Sequence, residues 1–319
     1  MNPMDKYDQS SSPPQIYITK IYTTMDARCK LVSPTMFVKA KPTGILDMGS
    51  VSISHNQQFG VFMNVGFNKG YNFANWMNIF TPYNNVTAVS WFAAAFKNKL
   101  LTASEDDCGW CEDCKVAYSL PSNVTYSKQK DFIFFGVDIN SRNHEMVNKT
   151  ISLLEGGQGT GTLSCSFYLS LSGVSSEPGF VDVPICKFGD ELCRLPENKN
   201  TSSNANYETV RLPMVTVEGA LHTLILEHKD KHAHLREAAA HFFHNSSSSS
   251  STDSEEVTLI DMLLIDVEGF DALVVQGAKH LLKRRAIRVI RFEYNMITPW
   301  RDMRLEGKGW CWRRAPSLA

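Results

Sequence analysis

The stretch Leu263-Leu264-Ile265-Asp266-Val267-Glu268-Gly269-Phe270-Asp271 constrains this chain more than any other. An apolar run ending on two carboxylates and a glycine has the form of a buried strand breaking at its C-terminal end. That is the edge at which open α/β sheets bind their ligands. Arg288-Val289-Ile290-Arg291-Phe292-Glu293-Tyr294 repeats the form: a short apolar run that ends on an acid. Between them, Ala272 to Lys283 places apolar residues at helical spacing and finishes on basic ones. Strand, helix and strand with an acid at each tip make one unit of a parallel, Rossmann-like sheet, so the expected class is α/β.

Further strands and helices extend this unit. Phe59-Gly60-Val61-Phe62-Met63-Asn64-Val65 reads as a first buried strand, followed by Gly66-Phe67-Asn68-Lys69-Gly70 and a helix from Tyr71 to about Phe80. Phe132 to Val137 reads as the next buried strand and ends on Asp138. A helix is expected over 144–154, strands over 163–171 and 210–217, and a helix over 218–228. Residues 1–30, polar and rich in Pro and Ser, are expected to be a mobile tail or an edge element. The serine run Ser246 to Ser251 cannot bury apolar surface, so a disordered insert is expected over 244–256. The resulting organisation is an N-terminal extension over 1–58, one domain over 59–295 with a second insert over 81–130, and an irregular tail over 296–319.

Composition narrows the function classes. Lys+Arg total 32 against 33 Asp+Glu, so the chain carries no electrostatic footprint for nucleic acid. No apolar run reaches the ~20 residues that a transmembrane helix needs. The N-terminus lacks the apolar core of a secretory signal, which gives a cytoplasmic expectation. Asn85, Asn123, Asn148, Asn200 and Asn245 head Asn-X-Ser/Thr sequons, read as chance matches in a chain without such a signal, unless a start codon placed too far downstream hides one.

Several residues carry candidate chemistry. The turn Gly66-x-x-x-Gly70 between strand and helix lets backbone approach a ligand at the helix N-terminus. Asp138, at the tip of the second strand, is placed where such sheets hold ribose hydroxyls. Sixty-eight residues separate Gly70 from Asp138, far more than in an ordinary dinucleotide site, so the 81–130 insert must lie between them. Within it, Cys108, Cys111 and Cys114 have CxxCxxC spacing, suited to a zinc ion or an iron–sulfur cluster if a fourth ligand is found, with a redox pair or plain loop cysteines as the alternative. Histidines 222, 228, 232, 234, 241 and 244 lack a clear partner carboxylate and read as a solvated polar helix.

These elements in this order resemble the FkbM family of S-adenosylmethionine-dependent methyltransferases. The resemblance rests on Asn64-Val65-Gly66-Phe67-Asn68-Lys69-Gly70, Val137-Asp138, Val215-Thr216-Val217-Glu218, Ile265-Asp266-Val267-Glu268-Gly269, Gln276-Gly277-Ala278 and Phe292-Glu293-Tyr294. It implies a class I methyltransferase fold and methyl transfer to a hydroxyl of a small molecule, sugar or lipid. It also implies that Asn64, Gly66, Asn68 and Gly70 line the methionine end of the cofactor and that Asp138 binds its ribose. Asp266 and Glu268 would then stand beside the reacting centre, to orient the acceptor or take its proton, to hold the cofactor's amine, or to cap the next helix.

Three departures qualify the resemblance. Asn64 stands where the family usually has Asp, and Leu264 where it often has Lys. After Tyr294 only 25 residues follow, without strand periodicity, so the expected sheet is C-terminally incomplete and Arg288–Tyr294 an exposed edge. The rival readings are an inactive methyltransferase-like binding protein and a nicotinamide-dependent oxidoreductase; the single Gly-x-x-x-Gly and the Asp-Val-Glu-Gly element argue against the latter.

Overall fold

Alternation along β2 (Phe59–Val65) sorts the molecule into layers. Val61, Met63 and Val65 join one hydrophobic cluster and Phe62 joins the other, so the strand is buried on both faces. The computed structural model describes residues 15–22, 59–81, 84–102, 105–108, 114, 131–156, 163, 165–186, 208–232, 235–236 and 259–295. Cys111, the Ser-rich stretch 244–256, the tail 296–319, histidines 234, 241 and 244, and sequons 123, 200 and 245 lie outside them.

The central sheet has six strands, all paired in parallel: β1 (Gln15–Tyr22), β2, β3 (Asp131–Asp138), β4 (Cys165–Leu171), β8 (Ile260–Ile265) and β9 (Ile287–Asn295). Their spatial order is β1-β9-β8-β2-β3-β4. From β2 the chain runs outward through β3 and β4. It then returns to β8 on the other side of β2 and continues to β9. The direction reverses between β2 and β8, which makes their C-terminal tips the switch point of a doubly wound, Rossmann-like sheet. A smaller sheet is formed by β5 (Gly173–Val174), β7 (Thr209–Val215) and β6 (Gly179–Pro184), in that order. β5 follows β4 after one residue, Ser172, whose N–H donates to the Asp138 carbonyl at 3.1 Å. The small sheet is therefore anchored beside the tip of β3.

Helices cover both faces. On one side, Phe73, Ala74, Trp76 and Met77 of α1 (Tyr71–Phe80) and Trp91 and Ala95 of α2 (Ala88–Lys97) pack with Met146, Val147 and Ile151 of α4 (Ser141–Gly156). On the other, Leu221, Leu224 and Ile225 of α5 (Val217–His228) pack with Ala272, Val274 and Val275 of α6 (Asp271–Gly277) and Leu281 of α7 (Lys279–Lys283). A short turn of helix, α3 (Glu105–Cys108), lies in the 81–130 insert. The single helix expected over 272–283 is thus two, divided at Ala278. None of the described helices is long and apolar enough to cross a membrane.

One expectation changes. The exposed edge along Arg288–Tyr294 is replaced by pairing: β1 runs parallel to β9 from Gln15 opposite Val289 to Tyr22 opposite Asn295. Ladder hydrogen bonds need only extended backbone, and Gln15-Ile16-Tyr17-Ile18-Thr19-Lys20-Ile21-Tyr22 is rich in β-branched and aromatic residues. Of the two alternatives for the N-terminal segment, its 15–22 part is the edge element. The 81–130 insert, in turn, contributes to the core. Its helix α2 starts with a reciprocal capping box between Thr87 and Ser90 and buries Trp91 completely.

Candidate functional site

The tip of β2 turns sharply, and glycine chemistry explains why. Gly66 has φ 78° and Gly70 φ 79°, both left-handed. The Gly66 N–H donates to the Val137 carbonyl at 2.8 Å, and the Asp266 N–H donates to the Val65 carbonyl at 2.9 Å. The turn is thereby stitched to the two neighbouring strand tips. A Cβ at Gly66 would lie 1.9 Å from the Asp266 carbonyl oxygen, so no larger residue fits while that contact stands. A Cβ at Gly70 would lie 2.6 Å from Cζ2 of Trp91, whose indole N–H donates to the Lys69 carbonyl at 2.8 Å. Trp91 of the insert therefore forms the floor under the turn, and Lys69 is itself buried.

Asp138 closes the turn from the β3 side. Its Oδ2 accepts the Asn68 N–H at 2.8 Å and its Oδ1 accepts the Asn140 N–H at 2.8 Å. Burial pushes the carboxyl up to about 6, against the pull of backbone N–H groups from Asn140, Asn68 and Ile139. A carboxylate offers about four lone-pair sites, so three backbone N–H groups leave it able to accept from a ligand hydroxyl as well. Asn68 holds φ 48°, and its Oδ1 accepts from the Asn143 amide at 3.4 Å.

Asn64 lies one residue before the end of β2, opposite Gly136 and Leu264. It is fully buried, and neither its amide nitrogen nor its amide oxygen finds a hydrogen-bond partner in the protein. Leaving such a group unpaired costs roughly 1–3 kcal/mol. Leu264, by contrast, is buried among apolar neighbours such as Met262, as its type requires.

Asp266 and Glu268 leave β8 beyond its last residue, Ile265, so both acids stand in the loop at the switch point. Asp266 is exposed and Glu268 half-buried. Glu268 adopts φ 53° and Gly269 φ 97°. A left-handed glutamate costs about 1–2 kcal/mol relative to ordinary backbone, a strain found most often at functional loops. The N-cap of the following helix is Phe270, with no side-chain cap bond. Asp271 at its first position is a fully buried acid that the sequence reading passed over. Its signal was an acid opening a helix, which looks the same whether the carboxylate is solvated or enclosed.

The structure therefore gathers Asn64, Gly66, Asn68, Gly70, Asp138, Asp266 and Glu268 around one switch point. The cysteines lie elsewhere. Cys108 and Cys114 form a disulfide with Cα atoms 4.9 Å apart, the paired alternative to a thiolate cluster. Sulfurs joined to each other are not thiolates for a metal. Among the described residues, no group of three or more His, Cys, Asp and Glu side chains is placed to hold one. Two of the histidines also depart from the solvated reading. The His228 ring stacks on Tyr168 with centroids 3.7 Å apart, and the Tyr168 hydroxyl contacts Nε2 of His232. Compared with protein-family models, with curated proteins and with solved structures, the chain finds no match.

Proposed function

We propose that this chain is an S-adenosylmethionine-dependent methyltransferase of FkbM type, with a class I methyltransferase fold, acting on a hydroxyl of a small-molecule, sugar or lipid acceptor. One observation carries the reading: the Gly66–Gly70 turn is closed against the Asp266 backbone on one side and the Asp138 carboxylate on the other, at the switch point of the sheet. The residues present fit the cofactor. The turn and the buried, unsatisfied amide of Asn64 would hold its methionine end, and the Asp138 carboxylate its ribose hydroxyls. When bound, S-adenosylmethionine supplies an electrophilic methyl group. Glu268 would hold or accept the acceptor's hydroxyl proton as charge develops, and Asp266 would orient the acceptor from the open side of the loop. A positioned carboxylate in that role contributes about 10²–10⁴-fold.

Calorimetric titration with S-adenosylmethionine, S-adenosylhomocysteine and NAD tests the reading. Saturable binding of the first two, and none of NAD, supports it; binding of NAD alone points instead to an oxidoreductase. A methyltransferase-like binding protein without turnover is the second reading, favoured by the neutral Asn64 where the family usually has an acid. Glu268→Gln separates the two. In an enzyme it lowers turnover by about 10²-fold or more while leaving S-adenosylhomocysteine affinity and Tm nearly unchanged.

A further inference from the structure

We infer that this chain matures in an oxidising, glycosylating compartment and carries an N-linked glycan on Asn85. Four cysteines are described, and three of them are disulfide-bonded: Cys108 with Cys114, and Cys186. The fourth, Cys165, is buried, and burial together with the nearby Glu155 charge pushes its thiol up to about 12, against a contact from the Asn84 amide. Among the described residues every thiol is either paired or enclosed and inert, which suits an oxidising environment, whereas thiols in a reducing one are kept unpaired.

That environment gives the sequons a use. Asn85-Val86-Thr87 sits in the short connection between α1 and α2. Asn85 is exposed and takes φ 53°, in a turn that points it outward while its neighbours Asn84 and Val86 are buried. Thr87 is the N-cap of α2, so the acceptor asparagine lies just before the first turn of that helix. The helix carries apolar residues on its outward face as well as its inward one. Val89 is 50% exposed and Phe96 47%, with Phe92 and Phe96 stacked at 6.0 Å between centroids. A glycan rooted at Asn85 would cover the start of this stripe and keep it from associating with other chains. The other described sequon, Asn148-Lys149-Thr150, is also exposed at its asparagine, but it lies among the charged and polar residues Glu145, Lys149 and Ser152 of α4 and has no apolar surface to cover.

The step is a transfer from a lipid-pyrophosphate-linked oligosaccharide. The Asn85 amide nitrogen bonds to the anomeric carbon of the sugar, the carbon–oxygen bond to pyrophosphate breaks, lipid pyrophosphate leaves, and the amide gives up one proton. This inference is independent of the catalytic reading. To test it, the full chain is produced in eukaryotic cells behind a cleavable secretion signal and treated with peptide N-glycosidase. The expected results are conversion of residue 85 to aspartate in the peptide mass, loss of one mobility step in Asn85→Gln, and an intact Cys108–Cys114 link. Enzymatic removal of the glycan from the folded protein, which changes the chain only by turning Asn85 into aspartate, is expected to raise binding of an apolar-surface dye. The same chain made in a reducing cytosol is expected to melt at a lower temperature. An unmodified residue 85, dye binding unchanged by glycan removal, or equal melting of the oxidised and reduced proteins would overturn the inference.

Discussion

Replacing Gly66 by alanine tests the geometry of the switch point most directly. The new Cβ would lie 1.9 Å from the Asp266 carbonyl oxygen and 2.8 Å from its carbon, both backbone atoms that cannot swing aside. It would also sit on a residue with φ 78°. The left-handed conformation costs an alanine about 1–2 kcal/mol. Forcing an extra carbon into packed backbone costs about 1–3 kcal/mol more. The sum, roughly 2–5 kcal/mol, is a large part of the 5–15 kcal/mol that holds a typical domain. Relief requires β2 and β8 to separate at their tips, so S-adenosylhomocysteine binding is expected to fall with stability. Urea unfolding gives the first quantity and calorimetry the second. Gly179→Ala is the control, because a Cβ there meets nothing within 4 Å and no left-handed φ is involved. If Gly66→Ala unfolds within about 0.5 kcal/mol of the parent protein, the scatter of ordinary surface changes, then the close approach of Gly66 to Asp266 is wrong and the site built on it fails.

Three further outcomes are expected. Asp138, raised from 3.8 to about 6 by burial, binds its proton more tightly when folded, so its contribution to stability is complete below pH 3.8 and lost as pH rises through 6. The loss is about 3 kcal/mol at 1.36 kcal/mol per unit; Asp138→Asn should flatten that slope in pH-dependent unfolding, and an unchanged slope refutes the assignment. Asn64→Leu removes an unpaired buried amide and is expected to raise stability by about 1 kcal/mol while weakening S-adenosylhomocysteine binding; a variant that binds as before shows that Asn64 has no part in the site. Amide exchange along Arg288–Tyr294 is expected to be slow because β1 pairs with β9, and deleting residues 1–22 should accelerate it; exchange indifferent to the deletion would remove β1 from the sheet.

The strands and crossover helices were legible in the residues because each is written locally. Runs such as Phe132–Val137 and Leu263–Ile265 are apolar on both faces, which only a buried strand requires, and Tyr71–Phe80 carries helical spacing to its last residue. The acids at the strand tips and the glycines of the turn were visible for the same reason, since a left-handed turn selects glycine by itself. What the residues did not disclose was every fact that depends on a partner far along the chain. That β1 would seal the edge of β9, that Trp91 would lie under Gly70, and that Asp138 would be spanned by backbone N–H groups are matters of tertiary proximity. The acid at 138 looks the same in the sequence whether it meets water or two amides, but only enclosure raises its affinity for a proton. Cysteine spacing likewise fits a metal or a disulfide equally well; the choice lies in Cα atoms brought to 4.9 Å, and distance is a property of the fold.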